Sequence, residues 1–404
     1  MKTVAIAGTL DTKGQEFLFL KGLIEKLGFS TLTIHIGIFD PQFEPDVSNG
    51  QIAEAAGANI EEIAKQRDRG IATEVMAKGM ETFLPELYRQ GKFDGVISMG
   101  GSSGSSIVAP GMRGLPLGVP KVLVSTMASG DTARFIKSSD IIMIPSVVDV
   151  AGINSISNRI FSNAAAAIAG MINHKYKEDF EEKPLVAATM FGVTTPCINH
   201  AQKYLEERGY EVLVFHATGI GGKTMESLID EGYFKGVLDI TTTEWCDEIV
   251  GGIQTAGPNR SEAASRSGIP QVVSVGAMDM VNFASVESMP DEFSDRNLYK
   301  HNPTTTLMRT TVEETIKIGK KLGEKLNLAK DNIALFLPLG GVSSIDVPDG
   351  PFYGPDEDKA LFNALKSTVN STVEVVEMEC NINDKAFAEA AARKLLEMME
   401  QKNI

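Results

Sequence analysis

One pattern occurs twice along this chain. An apolar strand-like run, a loop of small residues, a helix-period segment, a glycine and a second apolar run start at Val4 and again at Leu185. Gly28 and Gly209 stand where a left-handed helix cap belongs. Each copy later opens a strand with F-x-G-V, at Phe93-Asp94-Gly95-Val96 and at Phe234-Lys235-Gly236-Val237. Each enters a further strand through glycine, an apolar residue and proline, at Gly118-Val119-Pro120 and at Gly268-Ile269-Pro270. Strands joined through a helix run parallel. The expectation is an α/β protein: two Rossmann-like lobes with mostly parallel sheets and a cleft between them. A chain of 404 residues exceeds one ordinary core. The stretch His174–Lys183 is charged and without periodicity, and Pro184 closes it. Read as a linker, it sets the lobes at residues 1–183 and 184–404.

The copies differ most after the second strand. The first carries about forty more residues before its F-x-G-V strand. These include the turn signals Asp40-Pro41, Glu44-Pro45 and Asn49-Gly50, then helical patterns over 60–66 and 71–89. In the second half, Pro303-Thr304-Thr305-Thr306 reads as the start of a helix reaching Leu326, with Arg309 in its first turns.

Net charge of −15 argues against nucleic acid or an anionic membrane as the main partner. An anionic small ligand remains open, because backbone N–H groups can hold it against an acidic background. Three scattered cysteines, Cys197, Cys246 and Cys380, fit a reducing cytoplasm and offer no zinc set. The N-terminus runs straight into a strand, and no apolar run reaches bilayer length.

In open parallel sheets, ligands bind beyond the carboxyl ends of the strands. The small-residue loops follow strands, so they converge there. Gly100-Gly101-Ser102-Ser103-Gly104 has almost no side chain to bury. It suits backbone and hydroxyl contacts to a phosphate, helped by a following helix N-terminus. Gly8 to Gly14 is a second such loop. It is neither a G-x-x-x-x-G-K-[ST] phosphate loop nor a G-x-G-x-x-G dinucleotide turn, which disfavours an NAD dehydrogenase. Gly219 to Lys223 falls one residue short of phosphate-loop spacing, yet joins a lysine to backbone donors. Asp11 is suited to act as base, to hold magnesium through water, or simply to cap the next helix. His216 and Glu244 end strands and could transfer protons, and Arg309 could clamp a carboxylate or phosphate; strand-end polarity and a surface ion pair are the plainer readings. No residues have metal-ligand spacing.

Three strings bring a family into view: Gly8-Thr9-Leu10-Asp11-Thr12-Lys13-Gly14, Ser98-Met99-Gly100-Gly101-Ser102-Ser103-Gly104, and His301-Asn302-Pro303 through Arg309-Thr310-Thr311. Together they resemble a widespread bacterial and fungal family. It includes the N-terminal, ATP-binding domain of a plant tomato-mosaic-virus resistance protein. The likeness runs from Val4 to about Leu395. It does not extend to the plant protein's additional C-terminal domain, so inhibition of viral replication is not implied. The resemblance implies ATP bound at the first lobe, through Gly8, Thr9, Asp11, Thr12, Lys13 and Gly100 to Gly104, with magnesium as an optional companion, and a homodimer. It brings no reaction with it. The leading expectation is a cytoplasmic ATP-binding protein acting on a small carboxylate or sugar-acid metabolite, with His216, Glu244 and Arg309 as catalytic candidates. The alternatives are a non-catalytic nucleotide-sensing scaffold and a nucleotide-independent lyase or isomerase.

Overall fold

The computed structural model describes residues 1–174 and 183–402, so most of the expected linker lies outside the described residues. The chain divides into two compact units, Met1–Asp179 and Phe180–Ile404.

The first unit is built on five parallel strands: β1 (Thr3–Gly8), β2 (Ser30–His35), β3 (Gly95–Gly100), β4 (Lys121–Ser125) and β5 (Ile142–Pro145). Their spatial order is β2-β1-β3-β4-β5. β3 is buried along its whole length, and so is β1 after Thr3, as both faces of a parallel sheet must be. On one face, Phe17, Leu20 and Ile24 pack with Phe161, Ala165 and Ile168. On the other, Met76, Met80 and Leu84 pack with Ile107, Val108 and Met112. The helix after β1 (Gly14–Lys26) and the helix after β3 (Ser102–Arg113) therefore lie on opposite faces.

The second unit repeats this frame with β6 (Leu185–Met190), β7 (Glu211–His216), β8 (Phe234–Thr241) and β9 (Gln271–Gly276). A hairpin region follows, with β10 (Met280–Phe283), β11 (Leu298–Asn302) and β12 (Thr305–Arg309), before β13 (Ile333–Pro338) and β14 (Glu374–Met378). The main sheet has the order β7-β6-β8-β9-β13-β14, all parallel. The paired motifs do the same work in both units. Val96 N–H donates to Pro120 O and Val237 N–H to Pro270 O, each at 2.9 Å. Gly28 and Gly209 take φ of +88° and +87°, closing their helices in the left-handed region.

One expectation from sequence needs correction. The segment after Pro303 is not the start of a helix. Thr305–Arg309 is β12, antiparallel to β10 and β11 in a separate three-stranded sheet. A run of threonines followed by Leu307 and Met308 alternates into two apolar faces, which favours a strand. The helix begins at Val312, where Thr311 and Glu314 form a capping box. The extra residues of the first unit carry the two expected helices, Ile60–Gln66 and Arg69–Arg89, and a further short one, Asn49–Ala55, among the turn signals.

The longest of these helices crosses the Ser102–Arg113 helix at close range. A Cβ on Gly111 would lie 2.6 Å from Met80 O. Gly111→Ala should therefore destabilise the fold by about 1–3 kcal/mol, the usual cost of overpacking. Chemical denaturation read by circular dichroism would check this, with a Gly101→Ala control expected to change stability by well under that amount.

Candidate functional site

The order β2-β1-β3 reverses direction at the β1/β3 junction. Helices leaving neighbouring strands toward opposite faces open a crevice between their starting loops. In the first unit that crevice holds a cavity of about 660 Å³. Its walls include Thr9, Asp11, Thr12 and Lys13 after β1, and Gly100 through Gly104 after β3. Gly8, the remaining cofactor candidate, is spent on packing, because a Cβ there would strike the Phe17 ring.

The glycine-rich floor has an unusual property. Gly100, Gly101 and Gly104 do not have positive φ. A Cβ on each would find only ordinary contacts, 3.4 Å to Gly104 Cα, 3.6 Å to Thr126 Oγ1 and 3.8 Å to Met99 O respectively. Neither backbone conformation nor packing requires glycine there. Gly104 lies in the first turn of a helix, where glycine costs about 1 kcal/mol relative to alanine. That helix starts at Gly101 without a side-chain cap. Its first N–H groups have no partner inside the helix, and Gly101 to Gly104 line the cavity.

Asp11 is committed to structure. Its carboxylate accepts from Thr12 N–H at 2.8 Å and from Phe39 N–H at 3.2 Å. Its carbonyl accepts from Gln42 Nε2 at 2.8 Å. It thereby straps the 37–42 segment over the β1 loop. Buried His35 supports the same strap, accepting at Nδ1 from Leu10 N–H (3.2 Å) and hydrogen-bonding Phe39 O through Nε2 (2.9 Å). The strap lends the cavity an apolar side through Ile36, Ile38 and Phe39.

Two cavity cations were absent from the sequence reading. Arg67 sits at φ +53° in the two-residue turn between helices Ile60–Gln66 and Arg69–Arg89, which Asp68 caps. Arg69 follows, and its Nε donates to Ser103 Oγ at 3.1 Å. Both line the cavity with Lys13, whose Nζ donates to Val150 O. Asp149 also lines it and makes no hydrogen bond or ion pair among the described residues. Arg67 and Arg69 come from the extra helices, whose sequence carries no phosphate signature.

The second unit has the same crevice between β6 and β8, and it is filled. Thr194 and Thr241, from the two facing loops, are hydrogen-bonded at 2.8 Å. Phe191 and Val193 pack there with Met280, Leu307 and Phe352. The three catalytic candidates belong to this unit. His216 is exposed at the end of β7 and stacks on Phe191, with ring centroids 5.3 Å apart. Glu244 is fully engaged. Its carboxylate accepts from Gly219 N–H at 2.7 Å, from Gly222 N–H at 3.2 Å and from Arg260 Nε at 2.6 Å. The anion expected beside Lys223 is thus supplied by Glu244 itself. Arg309, on β12, donates to Phe352 O, Gly354 O and Asp358. Among the described residues no hydrogen bond joins His216, Glu244 and Arg309 to one another. Cys246 is buried, donates to Met278 O, and burial pushes its thiol upward.

Both halves of the chain match models of one family. The N-terminal domain of the Uncharacterised protein family (UPF0261) covers residues 2–177, and its C-terminal domain covers residues 183–399. The chain belongs to the UPF0261 family. A UPF0261 protein of Clostridium tetani is 57% identical over 402 residues, 99% of this chain and all of that one. UPF0261 protein RA0729 of Rhizobium meliloti is 44% identical, covering 97% of this chain and 98% of that protein. ToMV resistance protein Tm-1(GCR237) of Solanum lycopersicum is 44% identical over 337 residues, 82% of this chain but 45% of the tomato protein. The resemblance read from the three strings is thus shown at the level of the family. Among the described residues, no helix is long and apolar enough to cross a membrane. No group of three or more His, Cys, Asp or Glu among them is placed to hold a metal.

Buried carboxyls give the second unit a pH signature. Burial pushes Asp247 and Asp279 up to about 7, against the donors and the Arg309 charge that pull them down. Burial and neighbouring Asp346 push Asp358 up as well. A raised folded-state value means the native form holds the proton more tightly than the unfolded chain. The associated stability is complete below the ordinary carboxylate value and is lost as pH rises through about 7. Melting temperature should therefore fall between pH 5 and pH 8. Asp279→Asn keeps an acceptor for Ser343 and removes the charge, so it should flatten that fall in a calorimetric pH series.

Proposed function

We propose that the first unit is a nucleotide-binding module that takes ATP at the β1/β3 crevice. The observation that carries this is the floor of three glycines that the fold does not require. They leave the uncapped start of the Ser102–Arg113 helix open to the cavity, beside Lys13, Arg67 and Arg69. Phosphate oxygens would meet N–H donors, Ser102 and Ser103 hydroxyls and three cations. The base would rest among Ile36, Ile38 and Phe39. Asp149, without a partner among the described residues, is the cavity carboxylate that would hold magnesium through water. The family resemblance supplies ATP as the nucleotide and carries the homodimer with it, and the three scattered cysteines support a cytoplasmic location.

Binding stands as a function without a reaction, as in a nucleotide sensor. Glu244 and Arg309 are tied into the second unit's own contacts, which weighs against them as a proton-transfer set. If the protein turns over a small carboxylate or sugar acid, Asp149 is the cavity carboxylate free to act as base.

Calorimetric titration with ATP and magnesium tests the reading. Wild type should bind. Gly101→Val should keep its melting temperature and lose most of the affinity. Arg69→Ala should weaken ATP about tenfold or more, the loss of one charge-assisted contact, while adenosine binding changes little. An unchanged affinity for ATP in Gly101→Val would sink the assignment.

A further inference from the structure

The loop after β5, Ser146 to Gly152, holds strained backbone beside the cavity. Val147 has φ +62°, a region that β-branched residues almost never enter. Val148 N–H donates to Ser146 O at 2.7 Å, closing a three-residue turn of the rare, strained hand around Val147. The Val147 side chain is 75% exposed, so its own packing does not hold it there. The constraint comes from both flanks. Upstream, Ser146 N–H donates to Ser125 O at 3.2 Å, and Ser146 Oγ donates to Val148 O at 2.6 Å. Ser125 Oγ hydrogen-bonds Ser105 Oγ at 2.7 Å, one turn into the helix that starts at the cavity floor. Downstream, Val150 is fully buried and Gly152 N–H donates to the Glu16 carboxylate.

Between these anchors the loop delivers two groups to the cavity. Asp149 lines it, and Val150 O accepts the Lys13 ammonium. That ammonium has three donors, and its partner is a neutral carbonyl. An anionic acceptor bonds an ammonium roughly twice as strongly. An anion at Gly100 to Gly104 would draw Lys13 from Val150. Loss of that contact frees the loop between its two anchors.

We propose that the Ser146–Gly152 loop is a clasp on Lys13, sprung by the strained Val147 turn, which opens when a phosphate-bearing anion occupies the cavity. This rests on the ATP reading above. Opening lets Val147 return to a relaxed φ, so the stored strain contributes to affinity.

The test compares wild type, Val147→Gly and Val147→Ile by ATP–magnesium calorimetry and by thermal melting without ligand. Glycine takes φ +62° without strain. Val147→Gly should melt higher than wild type and bind ATP about tenfold more weakly, since the closed clasp no longer gains by opening. Val147→Ile keeps the branched carbon and should match wild type. In hydrogen exchange, the Val148 amide should lose protection when ATP is added to wild type. If Val147→Gly binds ATP as tightly as wild type, or Val148 protection is unmoved by ATP, the clasp is overturned while ATP binding stands. If wild type fails to bind ATP, both readings fall. A lower melting temperature for Val147→Gly removes the strain and with it the proposal.

Discussion

A parallel sheet whose strand order reverses leaves a gap that backbone chemistry must fill. At the β1/β3 junction, and again at β6/β8, adjacent strands send their helices to opposite faces. The loops that start those helices present N–H groups with no partner inside the helix. Something must satisfy them: a side chain, water or a ligand. The two units answer this demand differently. The second closes its crevice with a Thr194–Thr241 hydrogen bond and apolar packing, and its Glu244 carboxylate caps the Gly219 and Gly222 amides after β7. The first supplies glycines and leaves the demand standing.

The second unit's answer is electrostatic as well as steric. Arg260 is buried and pairs bidentately with Asp239 at 2.6 Å, with Glu244 at 2.6 Å and with Glu226 at 3.2 Å. Burial works against the guanidinium charge, and Asp239 and Glu244 outweigh it. Glu226 in turn accepts from Ser261 and Ala263 N–H at 2.7 Å each. Removing one partner from such a network leaves the others charged and dry, which costs more than the intact network contributes. Glu244 is therefore held by one contact to Arg260, which it shares with Asp239 and Glu226, and by two amides it caps. A carboxylate so placed organises the loops around it.

Much of this frame was legible in the sequence because it rests on local signals. The F-x-G-V starts, the glycine caps and the G-h-P entries each mark a backbone geometry that recurs wherever the residues recur. Their equivalence in space, down to the Val96–Pro120 and Val237–Pro270 bonds, follows from that. The glycine floor was legible for the same reason. Arg67 and Arg69 were not, because they reach the cavity through a helix–helix turn whose residues say nothing of where the pair will dock. Glu244 and Arg309 read as free strand-end and helix-start charges because their partners, Arg260 and Asp358, lie 16 and 49 residues away. The threonines after Pro303 misled because β-branching and a later capping box lie within a few residues, and the strand ends only where the cap begins.

The costs in the first unit gather around one place. Glycine in a helix turn at Gly104, an uncapped helix start at Gly101, a left-handed arginine at Arg67 and a left-handed valine at Val147 all lie at or beside the same cavity. Each lowers stability by an amount that a routine substitution would recover. The second unit, built on the same plan, closes the matching crevice with threonine, phenylalanine and valine, although its helices there also start without a side-chain cap and Ala277 beside them is left-handed. Departures from local rules that gather around one open cavity are what a binding site requires of a fold.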